Sequence, residues 1–214
     1  MIDFDIPADL AALRDEIRAF VAERIVPYEA DPRLTRHGPD DGLRAELVEL
    51  ARAAGLLTFQ APKRVGGREP SHREQAVLFE AAGWSTLGPI ALNCAAPDEG
   101  NMFLLGKVAN PAQIDEFLVP VIDGRQRSVF AMTEPGGAGS DPNQLATIAE
   151  FDGSDYVING HKWLITGANG ARTWIIMARV APNPHGADGP TLFLCDGATP
   201  GIEIERVIDR KSVV

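Results

Sequence analysis

Cysteine, clustered basic residues and long apolar runs are all scarce in this sequence. Its two cysteines, Cys94 and Cys195, lie far apart and lack metal-ligand spacing. That excludes a disulfide scaffold, and the expectation is two free buried thiols in a reducing compartment. The four histidines, His37, His72, His161 and His185, show no metal spacing either. Lys and Arg number 20 against 30 Asp and Glu, a formal net charge of -10. With no basic stripe to override that balance, nucleic acid and anionic lipid are not attracted. No run approaches the roughly 18 apolar residues of a membrane span. The opening MIDFDIPADL puts acids where a secretory signal needs a positive flank. These absences predict a soluble, cytoplasmic protein with no membrane span and no nucleic-acid partner. A GxGxxG fingerprint and the GK[ST] of a P-loop are also missing.

What is present is an ordinary globular composition, 45% hydrophobic and 23% charged. The first half has helical periodicity. Leu10, Leu13, Ile17, Phe20, Val21 and Ile25 recur at helical spacing, with Pro7 before and Pro27 after. Leu43, Leu47, Leu50 and Ala54 form a second stripe, closed by Gly55. Ser71 with Glu74 reads as a capping box for a third helix ending near Gly83. Asn110, Pro111 and Gln113 open another, with Ile114, Phe117, Leu118, Val121 and Ile122 on one face and Gly124 as its stop.

After Gly124 the period changes. SVFAM, ATIAEF, YVI, WLIT, TWIIMARV, TLFLC and IEIERV are short β-branched and aromatic runs. Asp152-Gly153 and Asn159-Gly160 signal hairpins, and Ala181 to Pro190 reads as a loop. The expected fold is α+β: an all-helical domain over 1–124, then a mostly antiparallel β-sandwich or barrel over 125–214. The second domain is expected to be truncated at its C-terminal edge, because the chain stops shortly after IEIERV.

Two stretches carry chemistry. In FAMTEPGGAGSDP, Phe130 to Pro142, a strand runs into glycines flanked by Thr133 and Ser140. Glycines let backbone N–H groups approach a ligand closely, and successive amides can cradle phosphate oxygens. In YVINGHKWLITGA, Tyr156 to Ala168, a hairpin at Asn159-Gly160 is expected to place Trp163, Leu164, Ile165 and Thr166 on a strand. An apolar wall beside a hydroxyl suits a planar heterocycle. Taken singly, the first is most often a turn and the second a core strand with one aromatic. His161 follows a turn and reads as exposed, and Asp141 reads as a residue that orders the loop.

Together, TEPGxGSD and NGxKxxIT about twenty residues on resemble the acyl-CoA dehydrogenase family. APKRVGG, Ala61 to Gly67, resembles the family's P-x-x-x-G-G loop. NCAAPDEGNM, Asn93 to Met102, resembles a helix-start motif of a subgroup whose eukaryotic members carry a fused kinase-like domain. The resemblance covers nearly the whole chain, in the right order.

It implies FAD as cofactor, an acyl-CoA thioester as substrate and an electron-transfer flavoprotein as acceptor. It implies that Phe130, Ala131, Met132, Thr133, Gly139 and Ser140 line the flavin, with Ser140 also beside the substrate's thioester arm. Trp163, Leu164, Ile165 and Thr166 would pack along the ring. No catalytic residue is expected in this chain; the resemblance places the base, a glutamate, in a C-terminal helical bundle without counterpart here. That bundle would come from a homo-oligomer or a partner chain, and apolar surface around Ile114–Ile122 would then be exposed. Two departures stand out: Gly136-Gly137 occupies the place of one residue, and the tryptophan is Trp163 where the family often has it at the Leu164 position.

Three functions are therefore open. One is an acyl-CoA dehydrogenase, as a fragment or split subunit. The others are a non-catalytic flavin- or partner-binding relative, and a flavin monooxygenase or nitroalkane-oxidase-like cousin.

Overall fold

A computed structural model describes residues 5–136, 141–181 and 188–208. The chain divides into two units, Met1–Arg125 and Gln126–Val214. The fold is α+β.

In the first unit α1 (Ala8–Phe20) buries Leu10, Ile17 and Phe20. It continues as a π turn, Val21–Ile25, and a 3-10 turn, Val26–Ala30. Pro27 sits in that last turn, where it has no N–H for the carbonyl four residues back, so α bonding cannot continue. A short hairpin follows, β1 (Leu34–Thr35) and β2 (Gly38–Pro39). The Asp40 carboxylate accepts from Leu43 N–H at 2.7 Å and starts α2 (Asp41–Ala53). Gly55, at φ 69°, ends that segment.

The Ala61 to Gly67 loop folds back tightly. Gly66 turns at φ 92°, and Gly67 lies so near Ala61 that a side chain there would overlap its carbonyl. The capping box of Ser71 and Glu74 opens α3 (His72–Ala82) as expected, and Gly83 caps its end. Two helices follow: α4 (Gly88–Ala91), too short to show periodicity, and α5 (Asp98–Val108). Asn110 and Gln113 form the second capping box at α6 (Pro111–Gln113). A π turn, Ile114–Leu118, leads to α7 (Val119–Ile122). Pro120 cannot bond to the Glu116 carbonyl, and the turn before it is widened, Val119 N–H reaching Ile114 O.

The core of this unit is Ile17, Val21, Ile25, Leu43, Leu47, Leu56, Leu78, Leu87 and Leu92. The apolar exposure expected along Ile114–Ile122 is not there. Leu118, Val121 and Ile122 are buried and Ile114 and Phe117 half-buried. Among the described residues of this unit, the exposed large apolar side chains are instead Ile6, Trp84, Phe103 and Val108. A polar knot lies within the core. Asn93 Nδ2 donates to Val121 O at 2.7 Å and to Thr58 Oγ1 at 3.1 Å, and Gln60 Nε2 donates to Asn93 O at 2.8 Å.

In the second unit five strands form one mixed sheet: β3 (Ser128–Ala131), β4 (Ile148–Phe151), β5 (Tyr156–Asn159), β6 (Thr173–Val180) and β7 (Gly189–Asp196). β6 is its axis. Along one edge β6 pairs antiparallel with β7, from Thr173↔Asp196 to Val180↔Gly189. Its other edge is shared: β3 pairs parallel with its start, Ala131↔Ile176, and β4 parallel with its end, Ile148↔Arg179. β5 then pairs antiparallel with β4 across the Asp152-Gly153 turn. The two parallel ladders were not foreshadowed by local sequence.

Three sequence expectations fail here. Asn159-Gly160 is not a hairpin turn, because β5 ends at Asn159 and no strand follows directly. Residues 163–166 are not a strand: Leu164 sits at φ 57°, which breaks an extended run. IEIERV forms no strand over residues 202–207. Among the described residues no helix is long and apolar enough to cross a membrane.

Candidate functional site

The two glycine-containing motifs meet just beyond the end of β3. β3 delivers Phe130, Ala131, Met132 and Thr133, and the chain then leaves β6 until β4 returns to it. The segment after β5 runs back alongside. Trp163 N–H donates to Thr133 O at 2.8 Å, and the Thr133 hydroxyl donates to Trp163 O. Thr133 and Trp163 thus face each other across a two-way bond, although 30 residues separate them.

Behind that pair lies a buried ionic knot. The Glu134 carboxylate accepts from Ala146 N–H at 2.6 Å, from Thr147 N–H at 3.0 Å and from the Thr147 hydroxyl. Lys162 Nζ lies 2.8 Å from Glu134 Oε1 and donates to Met132 O at 2.9 Å. The two side chains are 8% and 12% exposed. Burial pushes the carboxyl up, but the hydrogen bonds from Lys162, Thr147 and the Ala146 and Thr147 amides outweigh it and hold Glu134 at a pKa of about 2. A carboxylate saturated in this way is an anchor and a poor proton acceptor.

Of the expected site residues, Ala131 is buried, and Phe130, Met132 and Thr133 are half-buried. Trp163 is 40% exposed and Leu164 60% exposed. Ile165 packs against the Val129, Ala131, Ala171 and Trp174 cluster, and Thr166 is exposed. Gly139 and Ser140 lie outside the described residues. The strand expected to carry Trp163 to Thr166 is replaced by a turn that presents Trp163 and Leu164 outward. Asp141 does order its loop: it accepts from Asn143 N–H at 2.9 Å and from Gln144 Nε2 at 3.0 Å.

The roles of Lys162 and Thr147 were not read from the sequence, and Gly160 was read there only as half of a turn. Lys162 had a signal, being the lysine of NGxKxxIT. Thr147 had none. Among the cysteines, Cys94 is buried and its thiol is pushed up to about 12 by burial, whereas Cys195 is only half-buried.

The comparisons with known proteins agree with this architecture. Residues 7–125 match the acyl-CoA dehydrogenase N-terminal domain, and residues 129–213 match the middle domain. The chain is 36% identical over 214 residues to "Probable acyl-CoA dehydrogenase FadE2" of Mycobacterium tuberculosis, covering 96% of this chain and 52% of that protein. A solved structure of a probable acyl-CoA dehydrogenase from Mycobacterium abscessus superposes with a TM-score of 0.74 at 29% identity, covering 95% of this chain and 52% of that one. A glutaryl-CoA dehydrogenase from Mycobacterium smegmatis, solved in complex with FADH2, shares the fold with a TM-score of 0.66 at 24% identity, over 92% of this chain and 47% of its own. The chain belongs to the acyl-CoA dehydrogenase family. It carries that family's N-terminal and middle domains and spans about half the length of these proteins.

Proposed function

We propose that this chain carries the flavin- and thioester-binding part of an FAD-dependent acyl-CoA dehydrogenase, which oxidises the α,β carbon–carbon bond of an acyl-CoA. The observation behind this reading is the direct pairing of Thr133 with Trp163, which joins the two motifs. The residues present suit an isoalloxazine ring. A planar, amphipathic heterocycle needs an apolar face and a polar rim. Trp163 and Leu164 supply exposed apolar surface beside the Thr133 hydroxyl, and Thr166 adds a second hydroxyl.

Bound FAD supplies the hydride acceptor. In this reading Phe130 to Thr133 and Trp163 to Thr166 bind and orient the ring. The family resemblance assigns Gly139 and Ser140, which lie outside the described residues, to the flavin, and Ser140 also to the thioester arm of the acyl-CoA. Glu134 is not the base that takes the α-proton, since it is a buried anion bonded to Lys162, Thr147 and two backbone amides, with too low a proton affinity. That base belongs to a part of the enzyme outside the two matched domains. An electron-transfer flavoprotein would be the electron acceptor, and the whole enzyme would serve fatty-acid and related acyl-CoA oxidation as a homo-oligomer.

The test is to purify the protein, record its absorbance for bound flavin and titrate it with FAD. Saturable FAD binding that Trp163→Ala or Thr133→Val weakens is the expected result. A colourless protein that binds no FAD would overturn the reading. Dye reduction by a panel of acyl-CoAs, with the complete enzyme, tests the dehydrogenation.

A further inference from the structure

We propose that the buried Glu134–Lys162 pair is a positioning device for the candidate site, fixing the register in which Thr133 and Trp163 face the ligand. The ligand part rests on the flavin reading above; the register part does not. Three segments distant in sequence converge on the pair. Residues 132–134 supply Glu134 and the Met132 carbonyl, residues 146–147 supply two amides and a hydroxyl, and residue 162 supplies the ammonium. Lys162 Nζ donates to Met132 O at 2.9 Å, and one residue on along both segments Trp163 N–H donates to Thr133 O at 2.8 Å. The ammonium thus locks position 132 opposite 162, and the backbone pair follows at 133 and 163.

An apolar contact could hold these segments together but would not choose which atoms meet. Charge-assisted hydrogen bonds choose, because each has one donor and one acceptor direction. Each member of the pair has further hydrogen bonds beside the ionic one, which a buried pair needs to offset the loss of hydration. Removing one partner leaves a buried charge without its counterpart, while removing both charges together is far better tolerated. This asymmetry separates positioning by the pair from a general demand for packing.

The experiment compares the full 214-residue protein with E134Q, K162M, the E134Q/K162M double variant and E150Q, a control on an exposed position of β4. Hydrogen exchange is read at the Trp163 amide and at the amides of β6 and β7, and FAD affinity by titration. In E134Q and in K162M, Trp163 should exchange about tenfold faster while β6 and β7 keep their protection. FAD affinity should fall about tenfold in parallel, and the double variant should lose less than the two single losses combined. E150Q should match the wild type. Should E134Q fail to fold, K162M decides, since it leaves the carboxylate its three other donors. An unchanged Trp163 amide in the folded variants overturns the proposal. If the wild type binds no FAD, the flavin reading falls, and the exchange measurement alone still confirms or refutes the register role.

Discussion

Gly160 passes so close to Thr147 that a β-carbon at position 160 would stand 2.6 Å from the Thr147 side-chain carbons. Thr147 cannot swing away, because it is buried and its hydroxyl is bound to Glu134. Gly160→Ala should therefore destabilise the protein by about 1–3 kcal/mol, as overpacking in a tight site does. Urea unfolding would measure this. An unchanged midpoint would show that the segment shifts freely. The same variant should speed exchange at the Trp163 amide, because it pushes on the Glu134 knot from the far side.

Acid should act on the second unit through Glu134. Its folded pKa, about 2, lies below the ordinary 4.5. A depressed carboxyl contributes stability that is complete above about pH 4.5 and is lost as pH falls towards 2. The contribution is on the order of 3 kcal/mol. Urea unfolding of the wild type across that window should show the decline. E134Q should be less stable at neutral pH and its profile flatter through the window. Parallel profiles for the two proteins would contradict this.

Asn93 should be costly to change. Its amide bridges Thr58 and the Val121 carbonyl inside an apolar core, and its backbone adopts φ 54°. Asn93→Ala leaves the Val121 carbonyl buried without that donor, which costs about 1–3 kcal/mol. Asn93→Asp should be worse, since a carboxylate would face two carbonyl oxygens, Val121 O and Ile122 O. Thermal or urea unfolding orders the three proteins. If Asp is tolerated as well as Ala, the direction of these bonds is misassigned.

Leu164 should show a conflict between stability and binding. It holds φ 57° with 60% of its surface exposed, so it has the strain of a left-handed conformation with little packing in return. Leu164→Gly should leave stability unchanged or raise it by up to about 1 kcal/mol. Under the proposed function it should also weaken FAD binding, since it removes apolar surface from the ring's face. A clear loss of stability would mean that Leu164 is a packing residue.

What could be read from the sequence was chiefly local. Ser71 with Glu74 and Asn110 with Gln113 close capping boxes within four residues, and both appear in the structure. Asp152-Gly153 turns as its chemistry dictates, with Asp152 accepting from the Ser154 and Asp155 amides. Asn159-Gly160 carries a similar local signal and misled, because that glycine serves a neighbour 13 residues back in the chain. The β-branched and aromatic run at 163–166 fits a strand by composition, yet Leu164 turns left-handed there. The parallel ladders of β6 join segments more than thirty residues apart, and no short pattern encodes them. The site followed the same division. Thr133, Trp163 and Thr166 came from a family resemblance, while the partnership of Glu134 with Lys162 required the fold.

β3 and β4 share one edge of β6, and this bears on the extra glycine at Gly136-Gly137. Ala131 leaves opposite Ile176 and Ile148 returns opposite Arg179, three positions along the same strand. At about 3.3 Å per residue the two anchor points are only about 10 Å apart. Glu134 and Met132 at one end and Ala146 and Thr147 at the other are themselves tied together, so the sixteen residues 132–147 have to close only a short, fixed gap. For such a segment an added residue changes closure entropy by a small fraction of a kcal/mol and need not shift either strand. Length can therefore change between residues 135 and 145 while the two strands keep their places on β6.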